Sequence, residues 1–200
     1  MQWPDAGIRP VWALLHDGTI TCERVDEMWG TDMTAVATRE GQAAVFIAVD
    51  HCSAECLGVH ASRTATRPAN CHEALEPIRQ AVRHSFGAFG RHVARGLKIR
   101  HDHGSQYMSR DFQKEVRFIG AESSPAFVRA PEGNGCAERF IRTLKENLLW
   151  VRWFETIEAL RQALLEFQRT YNEHWLIERH GHRPPAAIRR DQSLNTQLAA

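Results

Sequence analysis

A continuous apolar segment from Gln42 to Asp50 most constrains what this chain can fold into. It reads QAAVFIAVD, and a short apolar run rich in β-branched side chains is typical of a strand buried within a sheet. Asp26–Ala37 and Glu55–Ala61 also show strand patterns, and residues 51–54 form a turn between the second and third segments. Three strands joined by short turns predict an antiparallel meander.

Helical and strand patterns then alternate along the rest of the chain. Ser109 is a plausible N-cap and Gly120 a plausible helix end, whereas Pro77 is expected to split or kink its helix. The tryptophans at 150, 153 and 175 are expected to pack rather than to stack on bases. The predicted segments are helix Pro68–Phe86, strand Leu97–His101, helix Ser109–Phe118, strand Ala121–Phe127, and helices Cys136–Trp153 and Thr156–Tyr171. This order predicts an α/β fold, with a mixed five-stranded sheet flanked by helices and an extra C-terminal helix.

Composition limits the class of protein. The length of 200 residues, with 43% apolar and 24% charged residues, suits one soluble globular domain. No uncharged apolar run approaches the ~18 residues that a membrane span needs, and the N-terminus does not resemble a signal peptide. The formal net charge is only +1, so binding to a polyanion has to rest on local basic patches.

The cysteines allow two interpretations. There are five, an odd number at irregular spacing, which is typical of reduced intracellular thiols. His51, Cys52, Cys56 and His60 are zinc-ligand types at near-zinc spacing. However, alternate residues of a strand point to opposite faces, so buried cysteines are favoured over a zinc site there.

Three carboxylates carry the strongest chemical signal. Asp102 directly follows a short strand, Glu138 opens a helix after a glycine-rich loop 35 residues later, and Asp32 lies on the first strand. Each also has a structural interpretation, as a strand-edge or turn aspartate or as a glutamate favoured by a helix N-terminus. Three carboxylates brought together are what a hard divalent cation requires. Two such ions about 4 Å apart can activate an attacking oxygen and stabilise a leaving one.

The motifs around these carboxylates point to a family. WGTDMT, then HDHGSQY, then GCAERFIRTLKENL resemble the integrase core of bacterial insertion-sequence transposases, relatives of retroviral integrases. The resemblance runs from about Asp26 to Pro185 and implies a ribonuclease-H-like fold. It also implies that Asp32, Asp102 and Glu138 are the catalytic residues and the ligands of two Mg²⁺ (or Mn²⁺) ions.

The resemblance implies a function and its partners. We expect a metal-dependent transposase or integrase core that cleaves DNA to give 3′-ends and joins them to target DNA. Element ends and target DNA would be its substrates, bound by a homo-oligomer in the bacterial cytoplasm at the nucleoid, with no membrane involved. Lys145, Arg142, Arg139 and His103 are expected to contact DNA; for Arg142 the alternative is a surface Arg–Glu pair.

The same resemblance predicts the domain organisation. Residues 1–25 would be a weakly structured segment, residues 26–173 the catalytic core, and residues 174–200 a C-terminal tail with a mobile end. The usual N-terminal helix-turn-helix arm is not seen, so it would lie on a separate polypeptide or be lost. Two other functions stay open: a ribonuclease-H-like nuclease without strand transfer, and a truncated, catalytically silent DNA-binding remnant.

Overall fold

The computed structural model describes residues 22–63, 71–126 and 134–198. Its elements, in chain order, are β1 Met28–Thr38, β2 Gly41–Asp50, β3 Cys56–Arg63, α1 Cys71–Phe86, β4 Lys98–His101, α2 Ser105–Met108, α3 Arg110–Ile119, β5 Glu122–Pro125, α4 Gly135–Leu144, a π-helical turn Lys145–Leu149, α5 Ile157–His174, a 3₁₀ turn Glu178–His180 and α6 Pro185–Leu198. None of the helices in these residues is long and apolar enough to cross a membrane.

The strands form one mixed sheet in the order β3-β2-β1-β4-β5. The pairings β1–β2 and β2–β3 are antiparallel, as the predicted meander requires, whereas β1–β4 and β4–β5 are parallel. The predicted five-stranded sheet is therefore confirmed. The parallel register sets Gly30 of β1 against Arg100 of β4, so β4 ends beside the first half of β1, which continues to Thr38.

Strand β2 is buried on both faces because helices cover both sides of the sheet. Ile47 and Val49 pack with α4 and α5, whereas Phe46 and Ala48 pack with α1 and α3. Alternate residues of a strand point to opposite faces, so a nearly continuous apolar run is needed to fill both cores. This explains why the segment 42–50 carries almost no polar side chains.

Helix α1 corrects one expectation, because Pro77 does not split it. The helix continues from Cys71 to Phe86 with Pro77 buried inside it; the predicted start at Pro68 lies outside the described residues. Strand β3 approaches here so closely that a Cβ on Gly58 would lie 2.1 Å from the Pro77 carbonyl oxygen. Only glycine fits at that position of β3.

The predicted ends of α3 and the predicted start of α5 hold, whereas α5 continues to His174, three residues beyond the predicted Tyr171. The Ser109 hydroxyl accepts a hydrogen bond from the Phe112 N–H at 3.2 Å, and Gly120 ends α3 with φ 85°. The Thr156 hydroxyl likewise accepts from the Ala159 N–H at 3.0 Å. These are the side-chain and glycine caps that satisfy otherwise unpaired groups at helix ends.

The helix predicted over Cys136–Trp153 is too long, and two of its tryptophans do not pack. Regular helix ends at Leu144, and the π-helical turn ends at Leu149. Trp150 is 69% exposed and Trp153 is 61% exposed, so the expectation of packing is wrong for both. Trp175 is partly buried against the rings of Phe167 and Tyr171, as expected.

The segment predicted to be a tail contains α6, which an ionic cluster fixes to the sheet. Arg189 contacts the carboxylates of Asp26, at 2.7 Å, Asp50, at 3.6 Å, and Glu55. Burial raises the pKa of Asp50, whereas the Ser53 N–H and Arg189 act in the opposite direction. Pattern analysis found only the two prolines and the polar end here, so it missed a helix whose anchor is a single buried arginine.

Replacing Arg189 should destabilise the protein, because this residue attaches α6 to the sheet. In Arg189→Met, the wholly buried Asp50 and the nearly buried Glu55 lose their cation, so we expect a loss of about 3–5 kcal/mol of unfolding free energy. Urea unfolding followed by circular dichroism measures the loss. The control is Arg183→Met, whose pair with Asp191 is about half exposed, and it should change stability by less than about 1 kcal/mol. Equal effects in the two variants would contradict the anchoring role.

Candidate active site

Strand pairing places Asp32 and Asp102 side by side. Gly30 pairs with Arg100, so the same register continued by two residues sets Asp32 beside Asp102, which directly follows β4. Residues in register on parallel neighbours point to the same face of the sheet. Asp32 also pairs with Ile47, whose side chain belongs to the core under α4 and α5.

Glu138 reaches the same face from the first turn of α4. Its neighbours Ala137, Phe140 and Ile141 are buried in that core and fix the helix against β1 and β2. Glu138 itself is exposed. The glycine-rich loop predicted before it lies outside the described residues up to position 133, and the structure describes it only from Asn134 onward.

The charges of the three carboxylates interact. Burial raises the pKa of Asp32 to about 6; the Met33 N–H lowers it, the charges of Asp102 and Glu138 raise it, and Lys145 lowers it. Burial also raises the pKa of Tyr107, and the charges of Asp32 and Asp102 add to this effect. The deprotonated form of Asp32 is therefore disfavoured, first by burial and then by the charges of the other two carboxylates.

The carboxylates do not converge completely. Among the described residues, the one group of three potential ligand atoms within 4.8 Å of one another is Cys71, His72 and Asp111, at the N-terminal ends of α1 and α3. At least one pair among Asp32, Asp102 and Glu138 is therefore separated by more than that distance.

Local hydrogen bonds orient both aspartates. The Met33 N–H donates to Asp32 Oδ1 at 2.7 Å, and the Gly104 N–H donates to Asp102 Oδ1 at 2.8 Å. A Cβ on Gly104 would lie 2.8 Å from the same Asp102 oxygen, so a larger residue there would displace the Asp102 side chain. Each bond occupies one carboxylate oxygen and fixes the direction of the other.

The predicted basic residues differ in their surroundings. Lys145 is partly buried and close enough to Asp32 to lower its pKa, so it lies at the site. Arg142 pairs with Glu146 at 3.0 Å on the exposed side of α4, which is the Arg–Glu surface pair considered as its alternative role. Arg139 and His103 are exposed.

The histidine–cysteine cluster is structural. Cys52 and Cys56 are buried thiols, and His60 bonds to Glu73 at 2.6 Å. In the part of the chain that the structure describes, no group of potential metal ligands forms at residues 51–60. All five cysteines, each of which the structure describes, are free, as the sequence predicted.

Two further residues shape the site, and the sequence analysis missed one of them, Asn134. His101 is buried, with Nδ1 2.6 Å from the Asp102 carbonyl oxygen and its ring stacked on Tyr107, so it shapes the turn that carries Asp102. Asn134 was treated only as part of a loop, but its side chain donates to the Thr31 carbonyl oxygen at 3.1 Å. The available signal was its position four residues before Glu138, one helical turn away.

Comparison with known proteins identifies the protein family. Residues 23–131 and, separately, residues 120–185 match families described as "integrase core domain". The transposase of insertion sequence element IS904 from Lactococcus lactis is 30% identical over 146 residues, covering 73% of this chain and 54% of that protein. Transposase InsD of Escherichia coli element IS2 is 26% identical over 181 residues, covering 90% and 58%. The chain thus spans about half the length of these curated relatives.

Solved structures share the fold. The catalytic core domain of BIV integrase superposes with a TM-score of 0.56 at 19% identity, covering 86% of this chain and 99% of that chain. The HTLV-2 integrase catalytic core domain, in complex with magnesium, gives 0.54 at 17% identity with the same coverage. The catalytic domain of Mos1 mariner transposase gives 0.56 at 11% identity, covering 72% and 70%. These neighbours confirm the ribonuclease-H-like fold.

The first family match covers more than half of the chain, and the order of strands and helices agrees with it. The chain therefore belongs to the integrase core family, and the curated relatives named above are insertion-sequence transposases.

Proposed function

We propose that this core catalyses metal-dependent cleavage of DNA at the ends of a mobile element, followed by joining of the 3′-ends to target DNA. One observation carries the proposal: the β1–β4 register sets Asp32 beside Asp102, and Glu138 on α4 lies close enough for its charge to raise the pKa of Asp32. Catalytic residues commonly collect at the carboxyl end of a parallel strand, and Asp102 directly follows such an end, that of β4.

The donor set suits a hard cation. Asp32, Asp102 and Glu138 offer only carboxylate oxygens, the ligands that Mg²⁺ and Mn²⁺ prefer. The raised pKa of Asp32 supports the proposal, because a bound cation would relieve the repulsion that disfavours its deprotonated form. The magnesium complex of the HTLV-2 integrase core supports it further. Two divalent ions held here would lower the pKa of an attacking hydroxyl group and neutralise charge developing on the leaving oxygen.

The chain's own residues would position the DNA. Lys145, two helical turns after Glu138, faces the same side of its helix and would contact a phosphate near the carboxylates. Arg139, Arg142 and His103 are exposed beside the site and would extend this contact. Water would attack first and the freed 3′-hydroxyl second, so no serine or tyrosine nucleophile is needed. Attack by water breaks the P–O3′ bond, which leaves a 3′-hydroxyl on one new end and a 5′-phosphate on the other. That 3′-hydroxyl would then attack a phosphodiester of the target and displace a 3′-hydroxyl from it.

The relatives are nearly twice as long as this core. Recognition of particular element ends would therefore fall to a region outside the integrase core, either on the same polypeptide or on a separate helix-turn-helix protein. We expect copies of the core to assemble on DNA, because two element ends have to be joined to one target. An assay with pre-cleaved ends separates this function from its rivals: a nuclease would cut without joining strands, and a silent remnant would do neither.

Asp102 provides the first test. Asp102→Asn nearly keeps the shape of the side chain but removes the anionic charge that a hard cation requires. Loss of a residue that merely supports a metal ligand costs about 10- to 100-fold in activity, so loss of a ligand should lower cleavage by at least 100-fold. DNA binding should be kept or slightly strengthened, because one negative charge near phosphate is gone.

Cleavage of labelled element-end DNA with Mg²⁺, alongside a binding titration, measures both effects. The matched control is Asp191→Asn, which changes an aspartate of α6 that is about half exposed and pairs with Arg183, and it should cleave normally. Cleavage by Asp102→Asn at the wild-type rate would rule out the metal assignment and favour the silent-remnant function.

Lys145 provides the second test. Lys145→Ala should weaken DNA binding and lower the slope of log K against log salt by about one unit, because one phosphate contact is lost. Binding titrations at several salt concentrations measure the slope. Lys114→Ala removes an exposed lysine on α3 and should leave the slope unchanged. An unchanged slope in Lys145→Ala would mean that this lysine only balances the charge of the carboxylates.

A further inference from the structure

A buried polar contact beside the site joins the two backbone segments that carry Asp32 and Glu138. Asn134, only 4% exposed, donates through Nδ2 to the Thr31 carbonyl oxygen at 3.1 Å. Thr31 directly precedes Asp32, and Asn134 lies one helical turn before Glu138. One hydrogen bond therefore links the strand that carries the first carboxylate to the helix that carries the third.

The Asn134 side chain is not used as a helix cap. Asparagine at the start of a helix usually accepts a hydrogen bond from an N–H of the first turn. In the described part of the chain, Asn134 stands at the N-cap position of α4 but makes no such bond with its side chain. Its amide is turned towards β1 instead, so the role that its position would ordinarily predict does not explain its orientation.

Glycine at position 30 makes this approach possible. A Cβ there would lie 2.8 Å from Asn134 Oδ1, 2.9 Å from His51 Nε2 and 3.2 Å from the Ala137 Cβ. Any side chain on residue 30 would therefore push the start of α4 away from β1. The absence of that side chain lets the asparagine and the helix reach the strand two residues before Asp32.

The His51 side chain also lies beside Gly30, since a Cβ there would be 2.9 Å from His51 Nε2. Burial lowers the pKa of His51 to about 4, and the charges of Arg179 and Arg100 add to this effect, so its ring is neutral. The Arg179 guanidinium donates to the His51 carbonyl oxygen at 2.9 Å and holds the backbone in place. Among the described residues, neither His51 Nε2 nor Asn134 Oδ1 has a hydrogen-bond partner. Buried polar atoms are costly to leave unpaired, and an imidazole N–H and an amide oxygen are complementary.

We propose that Asn134 is a positioning residue that sets Glu138 relative to Asp32, through its hydrogen bond to the Thr31 carbonyl oxygen. The inference rests on the proposed metal-dependent function. The inference explains why a buried asparagine stands at the start of α4. The Asn134 side chain joins that point of the helix to β1 by a hydrogen bond. The property that Asn134 would affect is the affinity of the site for a divalent cation, because this affinity depends on the distance between carboxylates that come from different elements.

The test is the affinity for Mn²⁺, measured in the absence of DNA from the electron paramagnetic resonance signal of the free ion. Asn134→Ala should weaken Mn²⁺ binding by about 10- to 100-fold, as expected when a residue that orients metal ligands is lost. Gly30→Ala should weaken it as well, because the added Cβ displaces Asn134 and His51. Circular dichroism in the metal-free state identifies any variant that fails to fold.

The matched control is Asn172→Ala, an asparagine whose side chain bonds both the Cys56 N–H, at 2.9 Å, and the Cys56 carbonyl oxygen, at 2.8 Å. It should lower the urea midpoint and leave Mn²⁺ affinity unchanged. Wild-type Mn²⁺ affinity in Asn134→Ala would overturn the inference, and so would an equal loss of affinity in Asn172→Ala. Asp102→Asn separates the two proposals: if it binds Mn²⁺ like the wild type, the metal-dependent function fails as well, and if it alone loses binding, only the role of Asn134 fails.

Discussion

The parallel pairing of β1 with β4 is the constraint on which the site depends. Three positions are paired, from Met28–Lys98 to Gly30–Arg100, and the same register extended by two residues sets Asp32 beside Asp102. A shift of one residue would move one aspartate to the opposite face of the sheet. The pairing is in turn protected by Trp29 and Ile99, which are fully buried in the core under α1 and α3.

The third carboxylate depends on a different kind of contact. Glu138 lies on a helix, and the position of that helix is set by side-chain packing of Ala137 and Phe140 rather than by backbone register. Packing of apolar groups is strong but not directional, so it fixes the position of α4 less sharply than a ladder of hydrogen bonds would. A hydrogen bond from Asn134 to Thr31 adds the directional element at the end of the helix nearest to the carboxylate.

Sequence patterns predicted the elements whose signals are local. The apolar run of β2, the Ser109 cap and the Gly120 helix end each depend on residues within a few positions of one another, and all were found. The misses depend on distant partners. Pro77 is tolerated in α1 where β3 approaches at Gly58, α6 is held by Arg189 across more than 130 residues, and Asn134 is oriented by a strand about 100 residues earlier. Trp150 and Trp153 were misjudged because their helical spacing ends with the π-helical turn.

Among the described residues, two groups of three carboxylates differ in how their negative charge is compensated. Asp26, Asp50 and Glu55 surround the guanidinium of Arg189, which is 13% exposed, and the pKa of Glu55 is lowered in spite of burial because His84 and Arg189 bond it. At the site, Asp102 and Glu138 are exposed and Lys145 is partly buried. The charge of Lys145 lowers the pKa of Asp32, but burial and the charges of Asp102 and Glu138 raise it to about 6. The first group contains its own cation, fixed in place, and serves stability. The second has Lys145 nearby, and the proposed function assigns the balance of its remaining negative charge to exchangeable divalent ions.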